Sequence, residues 1–452
     1  MDQAKPITPS HPPGPKRKLP FAGLLAYRRG PLAFFQNLAK EYGDISYFKL
    51  GPQEAYFLNH PDYIKDVLVS NNQNFVKGLV LQRAKRLLGE GLLTSEADYH
   101  RRQRRLAQPA FHRQRITSYA DVMTGYALRT RERWRDGETR DISEEMMRLT
   151  LAIVGKTLFD ADVESDAADV GEAMSTVMEF FEMLRLPFFE LLQKLPLPQL
   201  HRFDNAKRKL DSIIYRLIED RRQSGIDRGD LLSMLLLAHD EEGDGGQMSD
   251  EQLRDEAMTI FLAGHETTAN AMTWTWYLLS QHKNVENKLH RELDEVLSTH
   301  PPSFADVARL PYTEMVLAES MRLYPPAWAI GRLAAVDCEI GGYAVARESL
   351  VVMSQYVMHR DGRYYKDPLT FNPERWTTAE RESRPQFSYF PFGGGPRRCI
   401  GEGFAWMEGI LLIATLAQLW QMRLVPHHPI ALNPVITLRP KHGMKMTLIR
   451  RR

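Results

Sequence analysis

The sequence predicts a mainly α-helical fold with a small β region, and three observations support that class. Helical periodicity dominates from about residue 100 to residue 300. Strand signals are short and lie outside this stretch, near the start and in the C-terminal third. The chain has no internal repeat or low-complexity tract, so residues 21–452 are predicted to form one domain.

The predicted β elements are a hairpin near the start and short strands in the last third. ISYFKLG and EAYFLN alternate around Gly51-Pro52, which predicts the first hairpin. CEIGGYAVA and LVVMS predict further strands, whereas HRDGRYYKDPLTFNPERW (359–376) predicts a long irregular segment. ITLRPKHGMKMTLIR (436–450) is interpreted as a terminal hairpin. Residues 1–20, rich in proline and basic side chains, are predicted to be a flexible lead-in.

Composition and charge exclude several classes of protein. The 452 residues are 43% hydrophobic and 26% charged, with a formal charge of +2, which argues against a surface built for nucleic acid or anionic membrane. Two cysteines provide no disulfide framework, so a reducing compartment is expected. The N-terminus lacks the run of about 20 apolar residues that a membrane anchor needs. We therefore expect a soluble, cytoplasmic protein.

The segment DEAMTIFLAGHETTANAMTWTWYLL (255–279) predicts a buried helix with an unusual centre. Bulky side chains lie at both ends, whereas the face around Thr267 is made of small residues such as Ala263 and Gly264. This face forms a shallow groove against which a flat ligand could lie, and Glu266 adds an ionisable group beside it. Close helix packing with a solvent-facing Glu266 is the alternative.

A second helix, PYTEMVLAESMRLYPP, opens at Pro311 and must end before Pro325. Glu319 and Arg322 lie three residues apart on one face, and the other neighbours of Glu319 are apolar. A buried carboxylate that needs this arginine is one interpretation, and an ordinary surface ion pair is the other.

The segment DYHRRQRRLAQPAF predicts a third helix, with His100 and Arg104 aligned on one face and further arginines around them. This arrangement indicates anion binding. A nucleic-acid patch is weakly supported because the helix has no interleaved aromatic residues, and a solvated basic face is the other alternative.

One of the two cysteines lies in the glycine-rich stretch FPFGGGPRRCIGEGFAW (390–406), before a long apolar run. Cys399 therefore precedes the N-terminus of a buried helix, where the helix dipole and nearby arginines favour the thiolate. The glycines allow another body to approach the loop closely. Zinc is excluded because no second ligand is near, and a nucleophilic role lacks a local base. A haem, which needs one soft axial thiolate, satisfies these constraints.

The same stretch has the form F-x-x-G-x-R-x-C-x-G and resembles the haem-binding signature of the cytochrome P-450 (haem-thiolate monooxygenase) superfamily. Every position is filled, by Phe392, Gly395, Arg397, Cys399 and Gly401. AGHETT (263–268) is similar to the oxygen-binding helix of that family. The Glu319–Arg322 spacing and PERW (373–376), which supplies Arg375, are similar to its structural ion-pair network.

The resemblance implies a cytochrome P-450 fold with haem b (iron protoporphyrin IX) between the long oxygen-binding helix and the helix that follows Cys399. Cys399 would be the axial thiolate ligand of the iron. Thr267 and Glu266 would relay protons to bound oxygen. His100 departs from the tryptophan common at its position but still donates a hydrogen bond. Further residues expected at the haem are His100, Arg104, Arg332 and Arg397 on the propionates, and Phe392, Ala263 and Gly401.

The resemblance also implies the reaction and its partners. The chain would use O2 to oxidise a lipophilic small molecule, long-chain or terpenoid-like, in a bacterial cytoplasm. Electrons would come from a ferredoxin or a flavoprotein reductase, because the chain shows no G-x-G-x-x-G fingerprint. An acidic partner could dock on exposed arginines, which are otherwise simply solvated or bound within the protein: Arg101, Arg102, Arg105 and Arg398.

An apolar substrate pocket is expected from residues 71–93 and 179–200, together with Trp328 and Ile436, although core packing explains the same composition. Two rival functions are a haem-thiolate sensor of gas or redox state and an enzyme that uses peroxide or rearranges its substrate. Thr267 and Glu266 favour the monooxygenase over both, because neither rival needs a proton relay.

Overall fold

The computed structural model describes residues 11–16, 22–160, 167–184, 189, 193, 195–240 and 246–451. The chain divides into two compact units whose segments alternate along the sequence. Unit 1 comprises Met1–Leu79, Arg322–Thr370 and Thr377–Cys399, and unit 2 comprises Val80–Met321, Phe371–Trp376 and Ile400–Arg452. The single-domain interpretation of residues 21–452 stays a prediction.

Helices dominate the described residues, as the periodicity predicted. The α-helices are α1 Ala22–Arg29, α2 Pro31–Tyr42, α3 Pro61–Lys65, α4 Leu79–Arg83, α5 Lys85–Leu88, α6 Ala97–Ala107, α7 Arg113–Ser118, α8 Ala120–Glu132, α9 Ile142–Phe159, α10 Ala167–Leu184, α11 Pro198–Ser224, α12 Leu231–Leu237, α13 Asp250–Gln281, α14 Lys283–Leu297, α15 Phe304–Val307, α16 Pro311–Leu323, α17 Gln355–Met358, α18 Thr378–Glu382 and α19 Glu402–Ala417. Short 3-10 turns span Asn72–Asn74, Gln108–Phe111, Pro373–Trp376, Gln386–Ser388 and Gly395–Arg397, and a π-turn spans Asp66–Ser70.

The strands are short. They are β1 Ile45–Leu50, β2 Gln53–Leu58, β3 Phe75–Lys77, β4 Thr139–Asp141, β5 Ile330–Ala334, β6 Cys338–Ile340, β7 Tyr343–Val345, β8 Leu350–Met353, β9 Trp420–Leu424, β10 Leu432–Pro434, β11 Leu438–Pro440 and β12 Lys445–Arg450.

Unit 1 is built on a five-stranded sheet of order β1-β2-β8-β5-β3. β1 pairs antiparallel with β2, from Ile45 opposite Leu58 to Leu50 opposite Gln53, which confirms the predicted hairpin. β2 runs parallel to β8, and β5 runs antiparallel to both β8 and β3. The β6–β7 hairpin confirms the strand signal in CEIGGYAVA, and no regular strand lies in 359–376, as predicted.

The described part of the lead-in lies on this sheet. The His11 ring stacks on the Tyr47 ring with centroids 4.1 Å apart, and the Tyr47 amide donates to the Pro13 carbonyl at 3.0 Å. A side chain at Gly14 would collide with the backbone of Tyr47. Residues 11–16 are therefore held against β1, and residues 1–10 and 17–20 lie outside the described residues.

Unit 2 is organised by α13, a helix of 32 residues that begins at a capping box formed by Ser249 and Gln252. The cap satisfies two otherwise unpaired backbone N–H groups at the start of the helix. Most of α13 is buried on all sides, as expected for a helix that crosses a core. It packs against α9, α11 and α19, and α19 also packs against α8.

The predicted terminal hairpin over 436–450 is wrong. β11 pairs with β10, whereas β12 lies between β4 and β9 in a separate three-stranded sheet. The connection is fixed by Asp141, whose carboxylate accepts the Met444 amide at 3.0 Å and leaves no room for a side chain at Gly443. Because Asp141 belongs to β4, this contact aligns β12 with β4 rather than with β11.

Candidate active site

The centre of α13 is open along one stretch. Within an otherwise buried helix, Ala263 is exposed and both Gly264 and Thr267 are half-buried. The Thr267 hydroxyl donates to the Ala263 carbonyl at 2.8 Å, which leaves its oxygen free to accept a hydrogen bond. The small-residue groove predicted from the sequence is present at these three residues, which we call the open stretch of α13.

Gly264 also has the helix-packing role that the sequence left open as the alternative. A side chain there would meet the Val154 side chain of α9 at 3.2 Å, closer than ordinary van der Waals contact. Gly264 therefore serves close helix packing as well as the groove, so the two interpretations of this segment both apply, at neighbouring residues.

Glu266 is turned into the protein and bound by the segment that opens β11. Its carboxylate is only 3% exposed, and it accepts hydrogen bonds from the Thr437 hydroxyl and from Arg439, whose Nε lies 2.7 Å away. Arg439 and Thr437 were missed from the sequence because they follow Glu266 by more than 170 residues and match no motif. The solvent-facing alternative for Glu266 is wrong, because its side chain is almost fully buried. A buried carboxylate needs a cation such as Arg439.

The Cys399 loop belongs to unit 1 and leaves the thiol exposed. The Cys399 amide donates to the Phe392 carbonyl, and the Arg398 amide donates to the Gly395 carbonyl, both at 3.0 Å. These bonds fold the loop back on itself ahead of α19, whose first residue is Glu402. Cys399 thus precedes a helix N-terminus, as the sequence predicted.

Two glycines of this loop are required because other parts of the protein lie too close for a side chain. Gly395 has φ +65°, and a side chain there would come within 1.9 Å of the Leu68 carbonyl oxygen. A side chain at Gly394 would meet the Phe387 ring at 2.5 Å. The sequence predicted that these glycines allow another group to approach the loop. At Gly395 and Gly394 the groups that approach belong to the protein itself: they are the π-turn at 66–70 and the Phe387 ring.

Two cationic side chains of unit 1 lie side by side. Arg332 on β5 and Lys77 on β3 are both buried and face each other in the strand register. Because the two cations share one register position, an anionic group beside them can contact both. Arg397 is half-buried in the same unit. Arg332 and Arg397 were predicted at such a group, whereas Lys77 was missed.

His100 and Arg104 lie one turn apart on α6 in unit 2, as predicted. His100 is 5% exposed, and its Nδ1 lies 3.2 Å from the Ser95 hydroxyl. Arg104 is half-buried. The Ser95 contact fixes the imidazole ring and directs its Nε2 away from Ser95, which suits a donor role.

The other arginines of α6 bind within the protein. Arg102 and Arg105 converge on the Asp240 carboxylate, at 3.3 and 2.7 Å, and that carboxylate is 3% exposed. Arg101 pairs with Asp98 on its own helix. Binding within the protein is therefore present for Arg102 and Arg105, whereas Arg101 forms an exposed surface pair and stays accessible to a partner.

Glu319 is the centre of a buried network in unit 2. It is fully buried and accepts from Arg375 Nε at 2.9 Å, from Trp376 Nε1 at 2.9 Å and from the Asn372 amide at 3.0 Å. The sequence predicted the Arg375 contact through the PERW segment. The surface-pair alternative is wrong, because the carboxylate has no contact with solvent.

Arg322 holds the irregular segment of unit 1. Its guanidinium donates to the carbonyls of His359 and Pro368 at 2.7 Å and to that of Thr370 at 3.2 Å, and it lies over the Tyr365 ring. A long loop without strands or helices needs partners for its carbonyl groups, and one buried arginine supplies three.

The apolar segments predicted at a substrate pocket have mixed roles. Phe180 stacks on Phe203 with centroids 3.7 Å apart, which is packing between α10 and α11. Residues 185–188, 190–192 and 194 of the predicted lid lie outside the described residues. Trp328 is buried, and its ring lies 6.4 Å from the Phe35 ring between centroids, while its place at a substrate pocket stays a prediction. Ile436 is half-buried beside β11.

Glu408 is a buried acid in the middle of α19. Neither carboxyl oxygen has a hydrogen-bond partner among the described residues, and burial raises the pKa of Glu408 to about 8, although the nearby Thr268 hydroxyl offsets part of that rise. The sequence showed Glu408 only as an interruption of an apolar run. The structure indicates a neutral carboxylic acid packed inside the fold at pH 7.

Replacing Glu408 with glutamine is expected to remove a pH dependence of stability. The folded-state pKa lies above the ordinary value of 4.5, so the unfolded chain loses this proton first as pH rises. The free energy of unfolding should then fall between about pH 5 and pH 8, by up to about 1.4 kcal/mol per pH unit. Chemical unfolding at pH 5 and pH 8 should show a smaller fall in Glu408→Gln. An equal fall in both proteins would contradict a buried neutral acid.

Two kinds of feature were not found among the described residues: a cluster of metal ligands and a membrane-spanning helix. No group of three or more His, Cys, Asp or Glu side chains among the described residues is arranged to hold a metal ion. No described helix is long and apolar enough to cross a membrane.

Comparison with known proteins gives a consistent result. A family model described as Cytochrome P450 matches residues 12–446. Cyclooctatin synthase of Streptomyces melanosporofaciens is 41% identical over 423 residues, covering 93% of this chain and 92% of that protein. Cyclooctat-9-en-7-ol 5-monooxygenase of the same species is 35% identical, covering 94% and 95%. Pentalenene oxygenase of Streptomyces avermitilis is 36% identical, covering 90% and 91%.

Proposed function

The chain belongs to the cytochrome P450 family, and on that premise we propose that it hydroxylates or epoxidises a polycyclic terpenoid. Members of this family are haem-dependent monooxygenases, so the enzyme class and the haem cofactor follow from membership. The substrate, the electron donor and the roles of individual residues are proposals, each supported by particular contacts.

Each unit, taken by itself, carries side chains that suit a haem. In unit 1 the exposed thiol of Cys399 is the soft donor that haem iron accepts, and the opposed cations Arg332 and Lys77 suit a propionate. In unit 2 the open stretch of α13 offers a flat face bounded by Ala263, and the buried His100 supplies a donor. We assign Cys399 as the axial ligand. The remaining proposed contacts are His100, Arg104, Arg332 and Arg397 on the propionates, and Phe392, Ala263 and Gly401.

The reaction needs oxygen, electrons and protons in fixed proportion. One oxygen atom enters the substrate, and the other leaves as water with two electrons and two protons. A haem with an axial thiolate supplies the oxygen activation when bound. The chain supplies protons and excludes stray water. Thr267 faces the open stretch with a hydroxyl oxygen that can accept, and the neighbouring Glu266 is the acid of the proposed relay.

The names of the relatives support a terpenoid over a long-chain lipid. One relative is named for cyclooctat-9-en-7-ol and another for pentalenene, which are both polycyclic terpenoids. The family model spans residues 12–446, which include every residue proposed at the haem. The sequence left long-chain and terpenoid-like substrates open, and the relatives favour the second.

The electron donor is proposed to be a separate ferredoxin or flavoprotein reductase. The family model accounts for residues 12–446, and the sequence shows no G-x-G-x-x-G fingerprint for a flavin or a nicotinamide. Arg102 and Arg105 are held by the buried Asp240, whereas Arg101 and Arg398 are exposed, so Arg101 and Arg398 are the members of the predicted docking set to test first.

A binding screen tests the substrate class. Pentalenene and cyclooctat-9-en-7-ol are each titrated into the ferric protein, and the haem absorption band is followed as a substrate displaces the iron-bound water. We expect at least one of these terpenoids to shift the band at micromolar concentration. Dodecanoic acid, as a long-chain comparison, should shift it at least about tenfold more weakly, which corresponds to about 1.4 kcal/mol of binding free energy.

The comparison with dodecanoic acid makes the result decisive. A band shift by the fatty acid at lower concentration than by either terpenoid would replace the terpenoid proposal with a long-chain substrate. A protein that binds carbon monoxide but turns over neither class with an electron donor would favour the gas-sensor alternative.

A further inference from the structure

The helix of the proposed relay is clamped to the start of β11 by a row of polar contacts. Asn270 Nδ2 donates to the Thr437 hydroxyl at 3.2 Å, and Trp274 Nε1 donates to the Leu438 carbonyl at 2.8 Å. Arg439 donates to Glu266 at 2.7 Å. The helix members follow at intervals of four residues and therefore share one face of α13: Glu266, Asn270 and Trp274.

This clamp determines where the acid points. Successive residues of an α-helix diverge by about 100° around its axis, so Glu266 and Thr267 cannot face the same way. Thr267 lies on the open stretch, whereas Glu266 is directed to β11 and is 3% exposed. The acid is therefore held beside the open stretch but turned away from it.

Arg439 connects the buried acid to the protein surface. Its side chain is 29% exposed, whereas the carboxylate that it binds is nearly enclosed. The other titratable group that faces Glu266 is His265 on the same helix, and burial lowers the pKa of His265, so that ring is neutral in the folded protein. The positive charge that balances Glu266 among the described residues is therefore that of Arg439.

We propose that Arg439 is a positioning residue, which ties Glu266 to the β10–β11 hairpin and holds it as an oriented carboxylate that takes up a proton from the surface side and then passes that proton on. This inference rests on the proposed monooxygenase function. It assigns no chemistry to Arg439 itself, which acts through Glu266.

The release of hydrogen peroxide tests whether Arg439 supports proton delivery through Glu266. Arg439→Gln removes the cation and shortens the side chain while keeping a polar N–H donor, and Arg439→Lys retains the cation. With pentalenene as the probe and a ferredoxin system as donor, Arg439→Gln should release about tenfold more hydrogen peroxide per molecule of product. This factor is smaller than the ~10²–10⁴-fold increase in rate that a general acid contributes, because Arg439 acts only through Glu266. Arg439→Lys should restore most of the wild-type ratio, and Thr267→Ala serves as an uncoupled reference.

Infrared spectroscopy tests, without any turnover of substrate, whether Arg439 keeps the Glu266 carboxylate ionised. A buried carboxylate that loses its cation should become a neutral acid at pH 7. The spectrum of Arg439→Gln minus that of the double variant Arg439→Gln/Glu266→Gln should then contain a carboxylic-acid C=O band. The wild-type spectrum minus that of Glu266→Gln should lack this band. Absence of the band in the first difference would overturn the proposal.

A second ion pair provides a matched control. Arg423 is 30% exposed and binds Glu286, which is 4% exposed, through bonds of 2.7 and 2.6 Å, so this pair has the same burial as the Arg439–Glu266 pair. Arg423→Gln should lower stability to a similar extent but leave the peroxide ratio unchanged. Equal peroxide ratios in Arg439→Gln and Arg423→Gln would overturn the positioning role.

Failure of the proposed monooxygenase function can be distinguished from failure of the positioning role of Arg439. In that case the wild-type protein itself oxidises neither pentalenene nor cyclooctat-9-en-7-ol, whereas the infrared difference still decides whether Arg439 keeps Glu266 ionised.

Discussion

Replacement of Cys399 by serine is expected to abolish the red-shifted absorption band of the reduced carbon monoxide complex and all monooxygenation. The thiolate donates electron density that a serine hydroxyl cannot supply, and that donation defines both the spectrum and the oxygen chemistry. The exposed thiol of Cys399, ahead of α19 and in a loop folded back by two backbone bonds, is the observation behind this expectation. The measurement is the carbon monoxide difference spectrum of purified, haem-loaded protein.

The second cysteine is the control. Cys338 lies half-buried on β6, and burial raises the pKa of its thiol, so it is a poor thiolate donor. Cys338→Ser should keep the red-shifted band and activity. Retention of that band in Cys399→Ser, or its loss in Cys338→Ser alone, would contradict the ligand assignment.

Glu319→Gln should give the largest loss of stability. The substitution leaves the guanidinium of Arg375, whose side chain is 6% exposed, without its carboxylate partner. Breaking a buried pair by removing one partner costs about 3–5 kcal/mol, which is a large part of the 5–15 kcal/mol that stabilises a typical domain. We expect low yield, little bound haem and a lower midpoint of denaturant unfolding.

An exposed pair calibrates this measurement. Glu144 and Arg148 approach to 3.4 Å on the surface of α9, with side chains 66% and 68% exposed. Glu144→Gln should change the free energy of unfolding by at most about 0.5 kcal/mol. A Glu319→Gln protein as stable as Glu144→Gln would show that the buried network is not needed for folding.

Local chemistry made much of the fold predictable from the sequence. Pro311 opens α16 and the double proline at 325–326 follows its end, because proline suits the first turn and cannot continue a helix. The hairpin at Gly51-Pro52 and the helix after Cys399 were likewise identified from neighbours in the chain. The signature around Cys399 is local too, which explains why the family was recognised from the sequence.

Pairings between distant segments were not predictable in the same way. Glu266 meets Arg439, and Arg102 meets Asp240, across more than 130 residues, and no periodicity or spacing links such partners. The strands β11 and β12 formed an apparent hairpin in sequence, but Asp141 directs β12 to another sheet. Lys77 was missed because its meaning depends on the register that places it opposite Arg332.

The central claim is that this P450 inserts oxygen from O2 into a polycyclic terpenoid. The most direct measurement supplies isotopically labelled O2 to the reconstituted enzyme, with cyclooctat-9-en-7-ol and pentalenene as substrates, and analyses the products by mass spectrometry. The expected result is a product that carries one labelled oxygen atom from at least one of the two terpenoids. Products that carry no label, or no product from either terpenoid while dodecanoic acid is hydroxylated, would contradict that claim.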